Sequence, residues 1–138
     1  VFVLDERLEA DSLPVGTREG CLVRLFRDAR YPWLLVIPSM GQFREWWELT
    51  AGQRAQVDRV LVDGARVLSG MPVVEKINLA SLGNLVPQLH WHVVGRRAGD
   101  PAWPGPVWGH STPRPYEPGE QAALIAHLVG ELNLNPSR

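Results

Sequence analysis

The chain has 138 residues, with 14 Lys+Arg against 15 Asp+Glu and a formal net charge of -1. That length is a prior for a single domain, residues 1–138, able to bury roughly 68–70% of its unfolded surface without help from disulfides or metals. Hydrophobic residues at 45% exclude disorder as the default state, and the balanced charge argues against a non-specific nucleic-acid binder, which needs a basic excess to release counterions.

The opening stretch VFVLDERLEAD lacks the cationic start and apolar core of a signal peptide, so the expected location is cytoplasmic. Gly20–Arg27 (GCLVRLFR) alternates Leu22, Arg24 and Phe26 against Val23, Leu25 and Arg27 and reads as a strand. It holds the single cysteine, Cys21, which rules out an intrachain disulfide and fits a reducing compartment. Trp33–Pro38 (WLLVIP) is a continuous apolar run with the length of a buried strand, and Arg27–Pro32 turns the chain into a hairpin. Thr50 and Gln53 form a capping box that opens a helix. Val57, Val60, Leu61 and Leu68 then recur at near-helical spacing, and Ser69-Gly70 closes it.

Val73–Asn78 reads as a strand, Leu79–Pro87 as a Gly/Asn-rich connection, and Gln88–Val94 (QLHWHVV) as another strand. Ala98–Pro115 holds five prolines and three glycines. Its tryptophans, Trp103 and Trp108, make it an ordered lid or dimer-facing loop if they pack, and it is a linker if they do not. Glu117–Leu132, with Pro118 near its start and Leu124, Ile125, Leu128, Val129 and Leu132, reads as a terminal amphipathic helix. No apolar run approaches the ~18 residues a membrane helix needs. The pattern predicts an α+β fold on an antiparallel sheet, with one long helix and a C-terminal helix.

The chemistry gathers on Gln88–His92. Strand side chains alternate, so Gln88, His90 and His92 share one face, about 7 Å apart at each step. Three readings fit that spacing. The pair is part of a zinc site, completed by Cys21, His110, His127 or a carboxylate. Or the histidines are structural and bridge strands. Or one attacks a substrate while the other donates a hydrogen bond or proton. Upstream, Gly83-Asn84 supplies a turn whose amides are free to face an anion.

The stretch Asn78–Val94, NLASLGNLVPQLHWHVV, resembles the signature of the histidine-triad (HIT) nucleotide hydrolases and transferases, in which three histidines alternate with apolar residues after a Gly-Gln/Asn turn. Phe26-Arg27-Asp28, Leu35–Pro38 and the Pro-Trp segment AGDPAWPGPVWG extend the likeness over roughly residues 20–110, most closely to a bacterial branch described as diadenosine-polyphosphate-hydrolase-like. The resemblance implies a HIT-like fold with about five antiparallel strands and a homodimer. It implies His90 as the nucleophile on the α-phosphorus, His92 as donor to the oxygen transferred or released, and Gln88 as the residue whose main-chain carbonyl holds His90. Substrate contacts are expected from Phe26 and Asp28 at the ribose side, and from Asn78, Ser81 and Asn84 at the phosphates. Two departures stand out: Gln88 replaces the first triad histidine, and Leu85 replaces a small hydroxyl residue.

The leading expectation is therefore hydrolysis or transfer through a nucleotidyl-His90 intermediate, on a dinucleoside polyphosphate or nucleoside phosphoramidate. No metal ligands and no cofactor are expected, beyond magnesium carried by the substrate's phosphates. The alternatives are a nucleotide-binding regulator with little turnover and a zinc-dependent hydrolase. Nucleic acid and membrane are not expected partners.

Overall fold

The computed structural model describes residues 1–137. Six strands, β1 (Ser12–Arg18), β2 (Cys21–Phe26), β3 (Trp33–Pro38), β4 (Lys76–Ala80), β5 (Trp91–Arg96) and β6 (Asn135–Pro136), form one sheet. Their order is β4-β5-β3-β2-β1-β6, and every neighbouring pair is antiparallel. Among the described residues three α-helices accompany it, α1 (Glu6–Asp11), α2 (Ala51–Ser69) and α3 (Pro118–Leu132), with a short 3-10 turn at Trp46–Glu48. The fold is the expected α+β arrangement, with six strands instead of about five.

The run WLLVIP is buried throughout because β3 is central and used on both faces. Leu34 and Val36 join Val23, Leu25 and Val93 beneath α2 and α3. Trp33, Leu35 and Ile37 point the other way, with Val94, Leu8, Tyr31 and Val107, under α1 and the segment after β5. Thr50 and Gln53 cap α2 reciprocally, at 2.8 and 3.1 Å, and the helix buries Val57, Val60, Leu61 and Leu68. Pro118 stands in the first turn of α3, which buries Leu128 and Leu132. Among the described residues, no helix is long and apolar enough to cross a membrane.

Two strands start later than their sequence patterns suggest. Val73 has φ +66°, and the Val74 amide donates to the Met71 carbonyl, so these valines form a turn and β4 runs on through Leu79 and Ala80. At the other strand, the Leu89 amide is taken by Phe43 and the His90 carbonyl by the Ser81 hydroxyl. Gln88–His90 therefore lies off the ladder, and β5 begins at Trp91. The strand β1 escaped detection because Pro14 and Gly16 break its alternation at a register shift. Gly16 is required there: a Cβ would stand 2.5 Å from the Asn135 carbonyl oxygen of β6.

Candidate functional site

The sheet face opposite α2 and α3 carries a cavity of about 460 Å³, a volume typical of small-molecule sites. Phe26, Trp33, Leu35 and His92 of the sheet line it, with His90, the Leu82–Val86 turn, and Trp108 to Ser111 around the rim. The two histidine rings lie 4.9 Å apart and are inclined at 65°. They meet although His90 precedes the strand, because the Ser81 hydroxyl and the Gln88 carbonyl fix its backbone and ring.

Hydrogen-bond partners assign the protons. His90 Nδ1 lies 2.7 Å from the Gln88 carbonyl oxygen, which only accepts. The proton of His90 therefore sits on Nδ1, and Nε2 carries a lone pair. His92 Nδ1 lies 3.0 Å from Trp33 Nε1, which only donates. His92 is the opposite tautomer, with Nε2–H as its outward donor. Burial lowers the pKa of His90, against the Gln88 carbonyl and Asp5, which raise it. Burial, and then His90, push His92 down to about 3. One neutral imidazole offers a lone pair and its neighbour offers a proton donor.

Gln88 acts on His90 through main chain alone. Its side chain points elsewhere, accepting from the Asp5 amide at 2.8 Å and donating to the Val3 carbonyl at 2.8 Å and to Gln42 at 2.9 Å. It ties the N-terminal segment to the edge of the site, helped by Arg7, which donates to the Leu85 carbonyl. The Gly83–Leu85 turn borders the cavity with Gly83 at φ +73°, and among the described residues its amides make no hydrogen bond. Asn84 stands on the same rim, while Leu85 is exposed there.

Asp28 reaches the cavity but is fully engaged. Arg30 binds its carboxylate through Nε and Nη2, and the amides of Arg30 and Arg114 add two further bonds. A carboxylate has about four acceptor sites, so a ribose hydroxyl would have to displace one of these donors. Burial works to raise the Asp28 carboxyl, and Arg30 with the amides more than offsets it, leaving it below its ordinary range. Arg30 continues to the Ser111 hydroxyl and the His110 carbonyl, fastening the end of the Pro-Trp segment beside the site.

Two expected phosphate contacts lie elsewhere. Asn78, on β4, accepts from Arg96 at 2.8 Å and does not line the cavity. Ser81 serves the His90 backbone and faces a neighbouring cavity with Trp46 and Trp47. Of the donors weighed for a zinc site, His110 lines the cavity with His90 and His92, while Cys21 and His127 do not. Cys21 is buried in the core under α2 and α3, where burial raises its thiol to about 12. Among the described residues, no three His, Cys, Asp or Glu side chains stand where they would hold a metal ion.

Trp33 and Arg30 went unnoticed in the sequence. The Asp28-x-Arg30 spacing around a turn was a usable signal for the second. No local signal existed for Trp33, which meets His92 across 59 positions.

A family model described as "HIT domain" matches residues 7–99. No curated protein matches the chain. Among solved structures, a histidine triad (HIT) protein from Sinorhizobium meliloti 1021 is 42% identical with a TM-score of 0.91, over 95% of this chain and 97% of that one. A histidine triad protein from Bradyrhizobium japonicum is 37% identical with a TM-score of 0.91, over 95% and 98%. One from Marinobacter aquaeolei VT8 is 41% identical with a TM-score of 0.83, over 96% of each chain.

Proposed function

The chain belongs to the HIT domain family, and on that premise we propose that it is a nucleotide hydrolase or nucleotidyl transferase. It works at the α-phosphate of a dinucleoside polyphosphate or nucleoside phosphoramidate, and we assign it to the diadenosine-polyphosphate-hydrolase-like branch. The observation that carries the reading is the pair of opposite tautomers, His90 and His92, facing one cavity.

His90 Nε2 attacks the α-phosphorus as the bond to the leaving group breaks and its electron pair departs with that group, giving a nucleotidyl-His90 intermediate, while Nδ1–H stays on the Gln88 carbonyl and spreads the positive charge that develops. His92 Nε2–H hydrogen-bonds the oxygen transferred or released, and the Gly83–Leu85 amides stabilise charge on the phosphoryl oxygens, as preorganised donors do. Asn84 assists at the phosphates. Phe26, with Asp28 and Arg30, borders the end that takes the ribose and base. Water then cleaves the P–N bond and frees His90. The residues call for no resident metal, and magnesium enters with the substrate's phosphates.

Incubation of purified protein with diadenosine tetraphosphate or adenosine phosphoramidate, followed by a rapid quench, tests this. The expected result is turnover, with an acid-labile nucleotidyl adduct on His90. Tight nucleotide binding without turnover would favour a regulatory protein. Activity lost on chelation and restored only by zinc would favour a zinc hydrolase.

We also propose a homodimer. β4 is an open edge of the sheet, and Leu79 on it is 55% exposed and lines a shallow cavity with the exposed Trp46. Such an edge with apolar neighbours is suited to a self-complementary two-fold contact.

A further inference from the structure

We propose that Trp33 fixes His92 as a hydrogen-bond donor that cannot surrender its proton, and that the site thereby selects substrates whose leaving group departs as a phosphate oxyanion. This narrows the hydrolase reading above, on which it rests, to the dinucleoside polyphosphate type over the phosphoramidate type.

The Trp33 indole N–H points at His92 Nδ1 from 3.0 Å. Trp33 is 3% exposed, stacks on Phe26 at 4.0 Å and 22°, and meets Tyr31 and Trp108 edge-on at 6.2 Å each. Its ring is packed on several sides, so the N–H keeps its aim. Trp108 also abuts the His92 ring at 5.3 Å. An imidazolium at His92 would need a proton on Nδ1, where it would face the indole N–H donor to donor. The titratable groups around it add nothing that favours a charge. His90 holds its proton on the Gln88 carbonyl, and Asp28 is paired with Arg30. Asp11 and His110 also line the cavity, His110 beside the Ser111 hydroxyl, and among the described residues neither hydrogen-bonds the His92 ring.

The proton balance then separates the two substrate types. When His90 Nε2 bonds to the α-phosphorus, the bond to the leaving group breaks and its electron pair goes with that group. From an anhydride the pair rests on a phosphate oxygen, whose conjugate acid has a pKa near ~6. It leaves at neutral pH without a proton, and the His92 Nε2–H bond is enough. From a phosphoramidate the pair rests on nitrogen, which must gain a proton as the bond breaks. Neutral His92 could supply one only by becoming an anion or by taking a second proton at Nδ1, which Trp33 blocks. General-acid assistance is worth roughly 10²–10⁴ in rate, and the phosphoramidate forgoes it.

Two measurements test this. In ¹⁵N-labelled wild-type protein, the His92 nitrogen shifts are expected to report a proton on Nε2 only, unchanged between pH 5 and 8. A proton on Nδ1, or titration within that window, would overturn the proposal without any variant being made. In kinetics, diadenosine tetraphosphate should exceed adenosine phosphoramidate in kcat by on the order of 10²-fold or more. Trp33→Phe, which keeps a ring on Phe26 but loses the donor, should lower that ratio at least about tenfold and let His92 titrate. Equal turnover of both substrates by the wild type would refute the selectivity. Turnover of neither would overturn the hydrolase reading and the selectivity with it, leaving the nitrogen shifts to uphold the tautomer lock alone.

Discussion

Arg96 and Asp100 meet through two hydrogen bonds, at 2.7 and 2.9 Å, with both side chains almost fully buried. The same guanidinium binds Asn78 and the Gly105 carbonyl and lies over the rings of Tyr31 and Trp103. It gathers β4, β5 and the Pro-Trp segment at one point, and so holds Trp108 against the site. Burial works to raise the Asp100 carboxyl, and Arg96 with the Arg97 and Trp103 amides outweighs it, leaving it below its ordinary range. Asp100→Ala leaves a buried cation unpaired and should cost roughly 3–5 kcal/mol. Urea denaturation measures it, and a loss under about 1 kcal/mol would show that the pair is not a fastening point.

His90→Ala is expected to abolish turnover. His92→Ala removes only one donor, the one to the oxygen transferred or released, and should cost about 10²–10³ in kcat. Steady-state kinetics of both variants, with mass analysis of quenched peptides, checks the assignment. An adduct found on His92 would reverse the two roles.

Gln88→Ala preserves the carbonyl that binds His90 Nδ1 and discards the side-chain ties to Val3 and Asp5. Turnover should stay within a few-fold of the parent, while limited proteolysis near Arg7 becomes faster. A loss as deep as that of His90→Ala would mean that the Gln88 side chain takes part in the chemistry.

Stability should fall with acid. His92 has its folded-state pKa pushed down from 6.5 to about 3. Between those values the unfolded chain binds the proton that the folded one refuses. The stabilisation is thus full above about pH 6.5 and is lost progressively as pH falls toward about 3. The slope should approach ~1.4 kcal/mol per pH unit, with His90 acting in the same direction. Chemical denaturation at pH 7 and pH 5 reads it directly, and His92→Asn should flatten the curve.

A dimer through the open β4 edge should bury on the order of 2,000 Å² in total. Light scattering at micromolar concentration should return twice the chain mass of 15.4 kDa. Leu79→Lys should shift the mass toward the monomer, and a wild-type mass near that of one chain would reject the pairing.

Composition and periodicity determined what depends on neighbours along the chain. The Thr50–Gln53 box, the apolar spacing of α2, the doubly buried run of β3 and the proline-led α3 are local patterns, and local energetics suffice to specify them. The histidine pair, its order and the turn before it were legible for the same reason. What the sequence left open depended on pairs brought together by folding. β1 became visible only through its partners, since Pro14 and Gly16 hide its period. The side chain of Gln88 found its use at Val3 and Asp5, more than eighty positions away. Asn78 and Ser81 have residue types suited to phosphate, yet the geometry turned one to Arg96 and the other to the His90 backbone. The tautomers of His90 and His92 were decided last, because a proton's position follows the neighbouring group, and a carbonyl and an indole N–H demand opposite answers.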